Sequence, residues 1–263
     1  MKAPRAWLAV CLLVLAALPA WAGRSCEARL PDALAVQRGL ELAQRTDAAL
    51  RATGARVVVL ARAGQDLTKY RLHWSHLGFA YRDGEADDAP WRVLHKLNDC
   101  GSATADLHRQ GLGEFFLDDP HEYRTAMAVL TPELQARLLP LLQDNRSARR
   151  LHTAAYSLVA YPWAQRYQQS NQWAIETLAL AAEPAAGTRE RAQAWLRLQG
   201  YEPSVLRLSP LVRLGARLTS ANVAFDDHPD AKRYRDRIET VTADSVFTWL
   251  ENSHLATPVQ VVR

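Results

Sequence analysis

The amino-acid sequence predicts an α+β fold in which a small antiparallel sheet packs against several helices. Three early segments, residues 56–62, 74–81 and 91–97, have strand length and are rich in β-branched or aromatic side chains. From residue 102 onward the apolar side chains recur with helical spacing. Strands followed by a run of helices are typical of an α+β fold with segregated layers, whereas alternating strands and helices would indicate a parallel sheet.

The ends of these elements follow from capping and turn residues. Residues 31–53 have the pattern of an amphipathic helix, and Gly54 is suited to its C-terminus. The polar segment 82–90 separates the second and third strands and favours an antiparallel hairpin. Later helices are predicted at 102–115, from Thr131 with Pro132 in the first turn, and at 171–182, 189–199 and 242–252.

The N-terminal residues have the pattern of a bacterial secretory signal peptide. Lys2 and Arg5 precede an apolar stretch at 7–18, and the small-x-small sequence at 20–22 favours cleavage before Gly23. The apolar stretch is shorter than the roughly 20 residues that a spanning helix needs, which argues against an uncleaved anchor. We therefore expect a periplasmic protein with no stable membrane anchor after cleavage.

One domain is expected in the mature chain, residues 23–263, because no linker rich in Pro, Gly or Ser divides it. The formal charge of the whole chain is +4, and loss of Lys2 and Arg5 lowers it by two. This near-neutral charge, without a dense basic block, argues against a nucleic-acid binder. No zincin, Walker or Rossmann motif is present, and no cofactor or metal is expected.

Two cysteines, Cys26 and Cys100, follow the predicted signal peptide. In an oxidising compartment such a pair suggests a disulfide, which would stabilise the fold by roughly 3–5 kcal/mol in the chain-entropy model. The alternative is two unpaired thiols. A lipid-modified Cys26 is disfavoured by the charged residue two positions before it.

Two histidines and one serine are the candidate catalytic residues. If Tyr81 pairs with Pro90 across the hairpin, His76 and His95 lie directly opposite each other on one sheet face. Ser170 lies where a helix begins, and unpaired N–H groups at a helix start favour nucleophiles and oxyanions. The structural alternative is that Ser170 is only an N-cap.

A second polar cluster combines Asp226, Asp227 and His228. Carboxylates beside a histidine can bind a divalent metal, but adjacent residues rarely converge on one ion. An ordered loop is favoured, in which one aspartate accepts hydrogen bonds from backbone amides and the histidine. The cluster could alternatively line the same cleft as the catalytic candidates and contribute to ligand binding.

Five short motifs distributed along the mature chain resemble an uncharacterised bacterial family, the domain of unknown function numbered 2145. They are SHLGFAYR at 75–82, QGL at 110–112, FF at 115–116, SNQW at 170–173 and FDDHP at 225–229.

The order of the histidine and serine segments resembles papain-like domains of the NlpC type in their circularly permuted form, in which the histidine precedes the nucleophile. This resemblance implies a permuted papain-like architecture with His76 as general base, His95 as the residue that orients it, and Ser170 at the position of the usual cysteine nucleophile. Ligand contacts would come from the motifs around the nucleophile and the second cluster. The residues so assigned are Asn171, Gln172, Trp173, Asp226, Asp227 and His228.

The resemblance implies a periplasmic hydrolase of the amidase, peptidase or acyl-hydrolase class. The sequence departs from the active pattern because a serine hydroxyl is far less acidic than a cysteine thiol. An alternative is a catalytically inactive papain-like domain that binds a cell-envelope peptide, lipid or protein partner, and the abundant tryptophans suit such contacts. An assembly factor with an exposed helical surface is a third possibility.

Overall fold

The computed structural model describes residues 32–86, 88–117 and 120–263. Both the predicted signal peptide and Cys26 lie outside these residues, so the leader and the pairing of Cys26 with Cys100 stay predictions. The described chain has an α+β fold in which helices cover an antiparallel sheet, and this prediction is confirmed. No helix in the described part is long and apolar enough to cross a membrane.

Within the described ranges, the strands form one central antiparallel sheet and a separate two-stranded ribbon. The sheet contains β1 Val57–Ala63, β2 His76–Arg82, β3 Trp91–Asn98, β4 Ala105–Gly111, β5 Glu122–Val129 and β8 Gln260–Val262. The ribbon contains β6 Ser204–Arg207 and β7 Arg237–Thr240. The spatial order in the sheet is β4-β3-β2-β1-β5-β8.

The helices cover both faces of this sheet. They are α1 Ala33–Ala52, α2 Leu112–Phe116, α3 Pro132–Gln143, α4 Asn145–Ala148, α5 Ser170–Ala182, α6 Arg189–Leu198, α7 Pro210–Thr219, α8 Asp230–Arg233 and α9 Ala243–Asn252. Helices α1 and α2 supply apolar side chains to the core on one face, whereas α3, α5 and α9 supply them to the larger core on the other.

The continuous apolar run in β1 is explained by its position in the middle of the sheet. All seven residues of the strand are buried. Val57 and Val59 belong to the core beneath α3 and α5, and Val58 and Leu60 belong to the core beneath α1 and α2. A strand covered on both faces has no solvated side, so it loses the alternation of polar and apolar residues.

The prediction of a single helix over residues 102–115 is wrong. The segment contains β4, which forms one edge of the sheet, and continues directly into the short helix α2. Most side chains of β4 are partly exposed, and only Ala105 is buried. An edge strand with both faces partly solvated lacks the apolar alternation that identifies a strand, so helical spacing was the stronger pattern in the sequence.

Other predicted elements are present with ends that differ by a few residues. Helix α1 matches the segment predicted at 31–53, and β1, β2 and β3 match the three predicted strands. Thr131 caps α3 by accepting a hydrogen bond from the backbone N–H of Leu134 at 3.4 Å, and Pro132 occupies the first turn. The capping residues therefore predicted this helix start correctly.

Candidate functional site

Two imidazoles meet on the face of the sheet that packs against α1 and α2. Nε2 of His76 lies 2.8 Å from Nδ1 of His95, and the ring centroids are 5.0 Å apart in an edge-on arrangement. The ring of Phe115, from α2, lies 6.2 Å from the His76 ring and 5.2 Å from the His95 ring. The predicted juxtaposition of the two histidines on one face is therefore present in the structure.

The predicted register of the hairpin is wrong by two residues. Phe79 is paired with Leu94, so His95 lies beside Gly78 and reaches His76 diagonally. The long polar connection between the strands leaves their register open, but a shift of two keeps the same side chains on the same face. The histidines therefore meet even though the predicted pairing of Tyr81 with Pro90 does not occur.

Gly78 is required for this close approach. A Cβ atom at residue 78 would lie 2.7 Å from Cβ of His95, 3.0 Å from the carbonyl oxygen of Leu94 and 3.1 Å from Cγ1 of Val93. These neighbours are backbone or are close to it, so they have little freedom to move. Because Gly78 has no side chain, the His95 side chain can pass close to the backbone of β2 toward His76.

Two further side chains extend the histidine pair into a hydrogen-bonded chain. Nε2 of His95 lies 2.7 Å from Oε1 of Gln110, and Nε2 of Gln110 donates to Oε1 of Glu114 at 2.9 Å. Gln110 faces His95 diagonally because Val93, two residues earlier on β3, is its partner on β4. Sequence reasoning placed neither Gln110 nor Glu114 in the site, although Gln110 lies in one of the family-like motifs.

The acceptors in this chain fix the position of each proton. A glutamine carbonyl oxygen can only accept, so His95 carries its proton on Nε2 and presents an unprotonated Nδ1. That nitrogen must accept from His76, which therefore carries its own proton on Nε2. Nδ1 of a neutral His76 is left with a free lone pair, which is the atom a general base uses.

Burial keeps both imidazoles neutral. It is the main cause that lowers the pKa of His95 to about 3, and the Arg62 guanidinium acts in the same direction. Burial is also the main cause that lowers the pKa of His76 well below its usual value, and the charge of Arg62 again acts in the same direction. Arg62 is itself buried and donates to the carbonyl of Phe115, so its positive charge is fixed beside the pair.

Ser170 is the first residue of α5, and Gln169 is the residue that caps the helix. The Gln169 side chain accepts from the backbone N–H of Asn171 at 3.3 Å, so the alternative of Ser170 as N-cap is wrong. Burial raises the pKa of the nearby Tyr156 hydroxyl, and the Ser170 side chain partly offsets this rise. The backbone N–H of Ser170 has no acceptor among the described residues.

Asn171 fixes the start of α5 against the sheet. Its Oδ1 accepts from the backbone N–H of Leu77 at 3.1 Å, just beyond the point where the pairing between β2 and β3 ends at Phe79. The helix start therefore occupies the gap between two diverging strands, next to His76. This contact ties the start of a helix on one side of the sheet to the backbone residue next to His76.

Ser170 and His76 line one open cavity of about 540 Å³. Its walls also include Arg62, Gln110 and Tyr156. The cavity thus combines a hydroxyl, a neutral imidazole, an amide and a fixed positive charge. Such a set can bind a polar group and can hold a proton at a defined nitrogen.

The other residues of the SNQW motif serve the interior of the protein. Trp173 is fully buried, donates from Nε1 to the carbonyl of Ala148 at 3.3 Å, and packs edge-on against Phe79 at 5.7 Å. Gln172 is also buried and donates to the carbonyl of Pro162 at 3.2 Å. Neither side chain belongs to the described lining of the cavity that contains Ser170.

Asp227 and His228 form an internally bonded loop at a separate place. Oδ2 of Asp227 accepts from the backbone N–H of Tyr161 at 2.8 Å, and Oδ1 lies 2.9 Å from Nδ1 of His228. Nε2 of His228 faces the carbonyl oxygen of Glu239 at 3.0 Å. Both ring nitrogens therefore have acceptors, as in an ordered loop, and the described lining of the Ser170 cavity does not include either residue.

Asp226 makes an exposed ion pair at 2.8 Å from Arg166. The described lining of the Ser170 cavity does not include Asp226 either. The structure thus pairs His76 with His95 and places His76 and Ser170 in the lining of one cavity. Asn171 lies at the same helix start, and the remaining predicted ligand contacts lie elsewhere.

A buried polar cluster behind Tyr156 was not predicted from the sequence. The Glu176 carboxylate is fully buried, accepts from Nε of Arg189 at 2.9 Å, and also accepts from the amides of Gln168 and Gln193. Lys96 donates to Gln168 at 2.9 Å, and burial is the main cause that lowers its pKa to about 7. These groups come from distant segments, so no local motif marks them.

Comparison with known proteins identifies the family of the chain. Neither the curated proteins nor the solved structures include a match. Residues 49–250 match the family described as "Uncharacterized protein conserved in bacteria (DUF2145)". This match covers most of the chain and includes β2, β3 and the start of α5. The chain is therefore a member of the DUF2145 family.

Proposed function

We propose that this chain is a periplasmic hydrolase of the papain-like class, with Ser170 as nucleophile and His76 as general base. The observation that carries the proposal is the fixed proton order, in which Gln110 directs the proton of His95 and leaves Nδ1 of His76 unprotonated. The shared cavity supports it, because Ser170 and His76 both line its wall. An orienting partner behind a base is the arrangement that activates a hydroxyl nucleophile.

In the proposed reaction His76 first accepts a proton from Ser170 and then donates it to the leaving group. As Oγ of Ser170 attacks the carbonyl carbon of an acyl substrate, Nδ1 of His76 takes the hydroxyl proton. The same nitrogen then protonates the departing amine or alcohol, which leaves an acyl-serine. His76 then takes a proton from water as the water oxygen attacks the ester carbon. The bond between that carbon and Oγ breaks, His76 returns the proton to Oγ of Ser170, and the carboxylic acid is released.

Charge on the tetrahedral oxygen would be stabilised by groups fixed at the cavity. The backbone N–H of Ser170 has no acceptor among the described residues and lies at the start of a helix. The buried guanidinium of Arg62 lines the same cavity. A fixed donor and a fixed positive charge act most strongly on charge that develops only in the transition state.

The compartment and substrate class belong to the same proposal. The predicted signal peptide at 1–22 directs the chain to the periplasm, where a disulfide between Cys26 and Cys100 would form. Amides, peptides and acyl esters of the cell envelope all present the carbonyl carbon that this chemistry requires.

A second candidate function is ligand binding without turnover. The buried Tyr156 lies in the same cavity lining as Ser170, and burial makes protonation of His76 costly. The first feature suits a cleft that holds a polar ligand, and the second opposes proton transfer. In this case a ligand would bind at the cavity with the hydroxyl as a hydrogen-bonding group.

A fluorophosphonate probe distinguishes the two functions. We expect the wild-type protein to gain one covalent adduct at Ser170, and Ser170→Ala and His76→Ala to gain none while retaining their thermal unfolding transitions. Ser102→Ala is the matched control, because Ser102 lines the same cavity but has no imidazole assigned to it. Absence of an adduct on folded wild-type protein would refute the hydrolase and leave the binding function.

A further inference from the structure

Helix α7 exposes a stripe of leucines to solvent. Leu211, Leu214 and Leu218 are 81%, 56% and 62% exposed, and their spacing of three and four residues places them on one face of the helix. Isolated exposed leucines are common on protein surfaces, but a continuous apolar stripe marks an interaction site. The stripe therefore indicates a surface that contacts another molecule.

The opposite side of α7 already holds the helix against the protein. Ala216 lines a small pocket of about 190 Å³ together with Phe225 and Leu208. Arg213 is buried, donates to the carbonyl of Leu208 at 2.6 Å and pairs with Asp236 at 2.5 Å. These contacts hold α7 against the protein through its other side. The outward leucines are therefore not needed to pack the helix on the core.

The surroundings of the stripe are basic. The segment 203–225 contains three arginines and no acidic residue. Arg207 and Arg217 are exposed, and Tyr234, which is 70% exposed, lines a shallow depression together with Leu214 and Arg217. Leucines flanked by arginines and an exposed aromatic ring are typical of helices that lie in the interface of an anionic bilayer.

We propose that helix α7 docks this protein on the surface of an anionic phospholipid bilayer, with Leu211, Leu214 and Leu218 inserted among the lipids. A second copy of the chain fits less well, because symmetric contact would bring the exposed arginines of both copies together without acidic partners in this segment. Phospholipid headgroups instead supply the negative charge that Arg207 and Arg217 attract.

The position of α7 relative to the candidate site agrees with lipid as the partner. The apolar pocket beneath the helix is bordered by Gln65 and Leu158, and both residues also line the cavity of Ser170. Docking through α7 would therefore bring the two adjoining cavities close to the bilayer. The docking proposal does not depend on turnover at Ser170, and a catalytically inactive protein would bind in the same way.

Vesicle flotation tests the proposal on the chain that lacks only the predicted signal peptide. Vesicles of phosphatidylcholine mixed with phosphatidylglycerol should carry the wild-type protein upward, and vesicles of phosphatidylcholine alone should carry much less. Combining Leu211→Gln, Leu214→Gln and Leu218→Gln should lower the partition coefficient at least about tenfold. The matched control is Leu198→Gln, because Leu198 is 81% exposed on α6, away from the stripe.

The charge component is tested separately. Arg207→Gln and Arg217→Gln should each weaken binding to the anionic vesicles about fivefold at low salt, and added salt should weaken the wild type in the same direction. Circular dichroism and thermal unfolding should remain unchanged in these variants because the altered side chains are exposed.

The proposal is overturned if the wild type does not float with anionic vesicles, or if the triple glutamine variant floats as well as the wild type. It is also overturned if light scattering shows a dimer that the triple variant abolishes while vesicle binding is absent, since the stripe would then serve a second copy.

Discussion

Replacing Gly78 with alanine should loosen the histidine pair and destabilise the fold. The added Cβ would lie 2.7 Å from Cβ of His95 and 3.0 Å from the carbonyl oxygen of Leu94, so β3 must move away from β2. Overpacking of this kind costs about 1–3 kcal/mol. For a domain of this size each kcal/mol lowers the midpoint by about 2–4 °C, so we expect a fall of about 2–12 °C.

Differential scanning calorimetry measures this effect, and Gly215→Ala provides the control. Gly215 lies within α7 and has no atom within 4 Å of the position of an added Cβ. Alanine there should raise stability by about 1 kcal/mol, because glycine is a poorer helix former. Gly78→Ala should also slow labelling of Ser170, since His95 would shift from His76. An unchanged midpoint together with an unchanged labelling rate for Gly78→Ala would show that the added methyl group moves neither β3 nor His95.

Three further predictions concern titration, the buried network and the nucleophile. Because burial lowers the pKa of His95 to about 3, below the unfolded value of about 6.5, folded protein binds fewer protons and stability falls as pH drops below about 6.5. Urea unfolding should therefore show a loss of about 2 kcal/mol from this group between pH 7 and pH 5, and His95→Gln should show a smaller loss; equal losses would contradict the assignment. Glu176→Gln should lower the unfolding free energy in urea by about 3–5 kcal/mol, because it leaves the Arg189 charge buried without a counter-ion. A change below about 1 kcal/mol would argue against that ion pair. Ser170→Cys should react with iodoacetamide faster than Ser170→Cys combined with His76→Ala, as followed by intact mass, whereas equal rates would show that His76 does not activate position 170.

The fold was predictable where the apolar pattern was strong. The Val/Leu run of β1 and the alternation in β3 identify strands because burial imposes those patterns directly. β4 was missed because an edge strand can expose most of its side chains and still pair along its backbone. The three residues of β8 are too few to form a pattern, and their place beside β5 is set by tertiary packing.

The candidate site was predictable only in part. The predicted register differs from the observed one by two residues, and such a shift leaves every side chain on the same sheet face. The prediction that His76 and His95 meet was therefore correct although the predicted pairing was wrong. Gln110 and Glu114 could not be assigned, since their role depends on how β4 pairs with β3 and then turns into α2. The proton order follows from those two residues and is invisible in the sequence.

The site of Ser170 illustrates the same limit. A helix start was predicted one residue from its true position, but the contact of Asn171 with the backbone of Leu77 depends on where two strands diverge. Backbone groups released at the end of a pairing ladder must find other partners. Sequence patterns identify the helix and the strand separately and do not reveal this bond between them.

The proposed site depends on His76 and His95 being neutral, with their protons on Nε2, in one hydrogen-bonded chain. Nitrogen-15 NMR of the imidazole rings, recorded from pH 8 down to pH 5, measures the tautomer and charge of each ring directly. We predict that both rings remain in the Nε2–H form across this range, with a coupling across the bond between them. A ring of His76 or His95 that titrates near its ordinary pKa of about 6.5, or that carries its proton on Nδ1, would contradict this order of protons.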